Sequence, residues 1–241
     1  LARGQPDYGL YAPTEQYATI SDLTKAIAWL IDYFSSDGKG SVVFTDNFEG
    51  TLLKWNKLTS NGGTAFLDST HAKSGSQSMK LDVAKVLVAS AGIWREFGIQ
   101  SSQRLGGEIS FCKPSSNTFL CFALSYHNGT TQYKGSVKLD FSTYKLYYYS
   151  SADSWVEITT LDAFSASDQS FHPIKLVVDF DTLKYDRVIV DNTLYDLSSF
   201  SLYSAVSALN QRILWEVTLE GLNTTGGQLY VDDAIFTQEE P

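Results

Sequence analysis

Two glutamates, Glu216 and Glu220, lie four residues apart in the run WEVTLEG and would share one face of a strand. Paired carboxylates can cleave glycosidic bonds by acid and base catalysis when they stand roughly 5 to 10 Å apart across the scissile bond. Four residues of extended chain separate these two by about 13 Å, beyond either stereochemical geometry, so no catalytic residue is assigned. Three histidines (His71, His127, His172) and two cysteines are scattered along the chain, too few for a His/Cys zinc or iron site. The sequence has no Gly-x-Ser-x-Gly elbow and no His-Glu-x-x-His run, and GKGS at Gly38 to Ser41 lacks the earlier glycine of a phosphate-binding loop.

Aromatic residues offer a different chemistry, the stacking of sugar rings. The segment STYKLYYYSSADSWVEI supplies Tyr144, Tyr147, Tyr148, Tyr149 and Trp155, and strand alternation puts Tyr147 and Tyr149 on one face and Tyr148 on the other. Tyr147, Tyr149 and Trp155 are therefore the candidate glycan platforms, with Trp94, Tyr126 and Tyr133 in reserve. The competing reading is packing, because aromatics are ordinary strand residues and one face of each strand must fill a core. In SFCKPSSNTFLCFALS, a turn between Ser116 and Asn117 would set Cys112 opposite Cys121 across a hairpin, at a separation that a disulfide tolerates. A bridge would imply oxidising surroundings; two buried free thiols are the alternative.

These residues need a scaffold, and composition narrows it. The chain has 241 residues, 43% hydrophobic, 14% aromatic and only 19% charged, which suits a β protein with a real core and excludes disorder over the whole length. With 18 basic against 27 acidic residues, the net charge of −9 gives no electrostatic footprint for nucleic acid. The longest apolar stretch, Ala26 to Phe34, is broken by Asp32 and falls far short of the roughly 20 residues that span a bilayer, so no membrane insertion is expected. The segment beginning at Leu1 shows no secretory leader pattern, so an external location implies a removed leader or another export route.

Residues 1–20 show no helix or strand period, hold Gly4, Pro6, Gly9 and Pro13, and read as an extended arm. Leaving Tyr8, Leu10, Tyr11 and Tyr17 in water is costly, so the arm is expected to order on a neighbouring subunit. Ser21 can cap a helix from 22 to about 35, within a helix and linker segment over 21–40. Its stripe of Leu23, Ile27, Leu30, Ile31 and Phe34 is flanked by Trp29 and Tyr33, so it is apolar around much of its circumference. It either plugs the end of its own sandwich or packs on symmetry-related helices of a homo-oligomer.

From residue 41 to 241, short β-type runs alternate with Gly, Asn, Asp and Ser clusters, the pattern of an antiparallel sandwich. Strands are expected near 42–48, 64–68, 77–83, 91–98, 106–112, 118–126, 133–140, 143–150, 154–159, 172–180, 184–191, 211–220 and 228–236. No strand–helix alternation is present, which excludes a parallel α/β sheet. The fold class is mainly β, an antiparallel sandwich preceded by an arm and one short helix.

The pieces DNFEGTLLKW (Asp46 to Trp55), HAKSGSQSMKLDV (His71 to Val83) and GGQLYVDDAIF (Gly226 to Phe236) resemble the opening, the Ser-Gly loop and the closing strand of jelly-roll carbohydrate-binding modules and of concanavalin A-like or laminin G-like domains. FHPIKLVVDFDTLKYDRVIVDNTLYDLSSF (Phe171 to Phe200) resembles the hairpin of such lectin-like domains, so the likeness covers roughly 42–237. The arm RGQPDYGLYAP resembles the start of uncharacterised phage- and thermophile-associated proteins. Many carbohydrate-binding jelly rolls hold a structural calcium, and by position the resemblance implies Glu49, Asp232 and carbonyls near Ser74 and Gly75 as ligands, with Asp46 in reserve. Asp232 and Asp233 would point to opposite faces, so only one could serve; simple turn capping at a solvated rim is the alternative. Retaining β-glucanases of this fold carry Glu-x-Asp-x-x-Glu, and here Thr218 stands in place of the central Asp.

Three functions remain. The leading expectation is a non-enzymatic assembly protein of a virion or extracellular appendage, homo-oligomeric or bound to other structural proteins through Tyr8, Leu10, Tyr11, Tyr17, Trp29 and Tyr33, with the jelly roll displayed outside. The second is a carbohydrate-binding module or adhesin; the third is a divergent glycan-active enzyme. Asn128-Gly-Thr and Asn223-Thr-Thr match glycosylation acceptors and count only in a glycosylating host.

Overall fold

Apolar and polar residues alternate strictly along much of the chain, and the strands follow that alternation. In the segment RILWEVTLEG, Ile213, Trp215, Val217 and Leu219 are fully buried while Arg212, Leu214, Glu216, Thr218 and Glu220 face the other way. The computed structural model describes residues 38–50, 54–86, 88–112, 118–161, 170–221 and 226–241. These belong to one compact unit, Ser35–Pro241. The arm over 1–20 and the helix over 22–35, with interface candidates Tyr8, Leu10, Tyr11, Tyr17, Trp29 and Tyr33, lie outside the described residues.

The described residues form sixteen strands and no helix. Sheet I contains β1 (Ser41–Asp46), β3 (Thr64–Asp68), β4 (Ser78–Val83), β6 (Arg104–Cys112), β11 (His172–Asp179), β12 (Lys184–Val190), β13 (Thr193–Asp196) and β16 (Gly227–Gln238). Sheet II contains β2 (Asn56–Ser60), β5 (Ser90–Phe97), β7 (Thr118–His127), β8 (Thr131–Asp140), β9 (Lys145–Ser150), β10 (Ser154–Thr160), β14 (Tyr203–Val206) and β15 (Arg212–Gly221). The order in sheet I is β13-β12-β11-β6-β16-β4-β3, with β1 also on β16; in sheet II it is β10-β9-β8-β7-β15-β5-β2, with β14 also on β8. Every pairing is antiparallel, giving the jelly-roll sandwich that the alternation predicts.

The core between the sheets centres on Trp215, whose ring meets Trp55 at 5.0 Å, Phe236 at 5.9 Å and Phe122 at 6.0 Å. Each buried side chain of this size contributes about 1.5–3 kcal/mol relative to exposure, which makes this cluster a principal source of stability. Three strands escape the sequence reading: β2, β13 and β14 are short, and no residue in them is fully buried, so the apolar signal is weak. At the end of β2 the signal was present in another form. Asn61 and Gly62 both hold positive φ (48° and 85°) and turn the chain from the edge of sheet II to the edge of sheet I.

The disulfide expectation is corrected here. Cys112 ends β6 in sheet I and Cys121 lies on β7 in sheet II, and no disulfide joins them. The connection between them links the two sheets, so the hairpin register that would oppose the cysteines does not exist.

Candidate functional site

The outward residues of sheet II form cross-strand rows. One row runs Thr218, Cys121, Lys138, Tyr147 and Glu157; the next runs Glu216, Ala123 and Ser136; a third runs Leu214, Ser125, Lys134 and Tyr203. In these three rows the central strand β7 contributes only small side chains, Cys121, Ala123 and Ser125, and these make the floor of a trough. Glu216 and Glu220 on β15 form one wall, and Lys134 and Lys138 on β8 stand along the other.

Two hollows make up the trough. One of about 300 Å³ is lined by Gln132, Lys134, Ser136, Tyr149, Trp155 and Tyr203. The other, about 260 Å³, shares Lys134, Ser136 and Trp155 and extends over Cys121 and Ala123 to Glu216, Thr218 and Glu220. The first hollow sits at a seam in the sheet: β8 pairs with β9 through Val137–Asp140 and with β14 through Thr131–Lys134, leaving residues 135 and 136 between the two partners. Tyr185 of sheet I fills that seam from the core. Its hydroxyl accepts from the Ser136 amide at 2.9 Å and donates to the Tyr149 carbonyl at 2.7 Å, satisfying backbone groups that no neighbouring strand reaches.

Of the expected glycan platforms, Tyr149 and Trp155 lie together on the rim, ring centroids 4.8 Å apart, with Tyr203 at 5.2 Å from Tyr149. Tyr147 is on the same face, one row along, 4.7 Å beneath the Lys138 ammonium. Tyr148 turns inward against Tyr185, as the alternation predicts. Of the reserves, Trp94 opposes Glu216 on the outer face, whereas Tyr126 and Tyr133 pack against the core. Sequence reading missed Lys134 and Tyr203. The parity of β8 could have found the lysine; β14, four residues long, left no such pattern.

The electrostatics of the trough are uneven. A hydrogen bond to Asp153 pushes the Tyr149 phenol up to about 12, so it stays neutral. Cys121 donates its thiol proton to Glu220 Oε1 at 3.0 Å; burial, and then the Glu220 charge, raise the thiol well above its ordinary value. His127, at the end of the floor, is held below its ordinary value by burial and by Arg212, and its Nδ1 bonds Ser207 Oγ at 2.9 Å.

The residues expected around calcium are each engaged by groups of the protein. Asp46 bonds Trp55 Nε1 and pairs with Lys54; Glu49 accepts from the amides of Ser76 and Gln77 while lying against Gly75. Asp232 Oδ2 accepts from the amides of Lys73 and Ser74. Glu49 and Asp232 are thus both met by backbone N–H donors of the 73–77 loop. Among the described residues no three His, Cys, Asp or Glu side chains cluster as metal ligands. The expectation that Asp232 and Asp233 face opposite ways is also corrected. A bulge between Asp232 and Ile235, with Asp233 at φ 47°, brings both carboxylates to the same loop, Asp233 Oδ1 accepting from Ser74 Oγ at 2.8 Å.

No known family profile and no curated protein sequence matches this chain. Solved structures do. The chain is similar to an endo-β-1,4-glucuronan lyase from the fungus Trichoderma reesei, with TM-score 0.58, 12% identity, and coverage of 82% of this chain and 96% of that one. It is similar to the cellulose induced protein Cip1 (TM-score 0.52, 15% identity, 80% and 96% covered) and to the laminarinase catalytic domain from Thermotoga maritima (TM-score 0.51, 12% identity, 84% and 100% covered). At these identities the shared property is the fold, a concanavalin A-like jelly roll. The expectation of a non-enzymatic protein is overturned: this fold, over nearly the full length of those chains, includes a lyase and a laminarinase catalytic domain. Glu216 and Glu220, set aside on their backbone spacing, both line one hollow of the trough.

Proposed function

We propose that the protein recognises a polysaccharide through the trough on the outer face of sheet II. The observation that carries this reading is the hollow in which Tyr149, Trp155 and Tyr203 surround Lys134, Gln132 and Ser136: apolar ring faces beside polar groups that can bond hydroxyls. The jelly-roll fold, shared with glycan-active proteins, is consistent with it. The display role expected on a virion or appendage rested on residues 1–40, and nothing among the described residues supports it.

Calorimetric titration with a panel of plant, algal and bacterial polysaccharides tests the reading. At least one is expected to bind, and Trp155→Ala to weaken it about tenfold. A panel without a binder, or a Trp155→Ala protein that binds unchanged, removes this face as the site.

A second reading, bond cleavage, follows from Glu216 and Glu220 lining one hollow with Trp155. Loss of polymer chain length on incubation, abolished by Glu216→Gln, would establish it; an unchanged chain length for every polymer that binds would leave recognition alone.

A further inference from the structure

We infer that the β8 side of the trough is a subsite for an acidic sugar, one bearing a carboxylate or sulfate, and that Lys134 reads the charge. The inference rests on the glycan-binding reading of this face and adds the substrate class. Lys134 and Lys138 stand on the same face of β8, yet neither forms an ion pair among the described residues. Acidic partners are not scarce, with 27 acidic residues against 18 basic ones in the chain. Nearby cations find them: Lys145 pairs with Glu157 at 2.6 Å, and Arg212 pairs with Glu96.

The two lysines differ in what surrounds them. The Lys138 ammonium is caged by Tyr147, Trp155 and Phe119, with ring centroids at 4.7, 4.9 and 5.0 Å, so the rings hold it against the sheet. Lys134 has no such cage among the described residues and borders both hollows. A half-buried ammonium that makes no ion pair has lost part of its hydration, and an incoming oxyanion would offset that loss through a charge-assisted hydrogen bond. Glu216 and Glu220 on the far wall repel an anion and accept hydrogen bonds from hydroxyls. The trough is thereby polar across its width, turning the acidic group of a sugar toward β8 and its hydroxyls toward β15. Tyr149, Trp155 and Tyr203 flank Lys134 and offer a surface to the same ring. A neutral sugar would use the rings and the glutamates and leave Lys134 unpaired.

The test is calorimetric binding of the full chain to polyglucuronate, polygalacturonate, a sulfated galactan, and neutral β-1,3- and β-1,4-glucans, each at low and high salt. An acidic polymer is expected to bind at least about tenfold tighter than the neutral ones, with affinity falling as salt rises. Lys134→Gln is expected to lose about tenfold of that affinity at an unchanged melting temperature, and Lys134→Arg to retain it. The carboxylated and sulfated polymers tell which oxyanion is read. If neutral glucans bind as tightly as acidic ones and Lys134→Gln behaves as the native protein, the acidic subsite is overturned while recognition through Trp155 stands. If neither class binds, both readings fall together.

Discussion

The hydroxyl of Tyr185, on sheet I, lies 2.9 Å from the backbone nitrogen of Ser136, on sheet II, and closes the gap between β9 and β14 beneath the hollow of Tyr149, Trp155 and Tyr203. The same hydroxyl reaches the Tyr149 carbonyl, so one core side chain fixes two residues of the site. Tyr185→Phe leaves these buried backbone groups unsatisfied and is expected to cost about 1–3 kcal/mol in urea unfolding and to weaken glycan binding with it. An unchanged unfolding midpoint would show that the seam is held by something else.

Glu240 joins Lys175 at 2.8 Å and Arg187 at 2.6 Å, with all three side chains buried or nearly so. Removing the shared anion takes an ion-pair partner from each of two buried cations, of which Arg187 keeps Asp186. Glu240→Gln is expected to destabilise by about 3–5 kcal/mol, and Lys175→Met in the same chain to recover part of the loss. Thermal melts of the single and double variants check both signs.

Burial first, and then the neighbouring Asp233 carboxylate, push the Asp232 carboxyl up to about 7, against the opposing effect of the Lys73 and Ser74 amides. Its folded-state value lies above the ordinary carboxyl value of 3.8, so the native state favours the protonated form. That contribution is complete below about pH 4 and lost as pH rises through about 7. Unfolding free energy is expected to fall between about pH 4 and 7 by up to a few kcal/mol from this group, and Asp232→Asn to flatten that slope. Identical slopes in the two proteins would refute the assignment.

Cys112 is fully buried and Cys121 is held as a thiol beside Glu220. Unfolded without reductant, the protein is expected to titrate as two free thiols, and when native to react with a thiolate-specific reagent at pH 7.5 far more slowly than a free cysteine. Fewer than two thiols on unfolding would indicate an oxidised pair.

Strand positions were legible wherever one face is buried, because burial writes period-two alternation into the sequence: Thr64–Asp68 falls where the reading put it, and β15 shows apolar residues at every second place. The site was legible in three of its aromatic residues and in the shared face of Glu216 and Glu220, and not in Lys134 or Tyr203. Tyr147, Tyr149 and Trp155 announce themselves by type and parity, but Lys134 acquires its meaning from lacking a partner, which is a property of the fold. The cysteine error has the same root. Chain arithmetic supposes that consecutive strands pair, and β6 and β7 belong to different sheets. Likewise the bulge at Asp232–Asp233 reverses a facing that strict alternation would assign.

The placement of β16 bears on how the molecule is made. This strand lies in the middle of sheet I, with β6 along one side and β4 and then β1 along the other, and it is the last of the sixteen described strands. Until residue 238 has left the ribosome, sheet I has an open slot whose two edges offer unpaired amides and carbonyls to any passing strand. The sandwich therefore closes only after its own synthesis, through contacts that span almost the whole described chain, and its yield in a cell should depend on how long those edges are shielded.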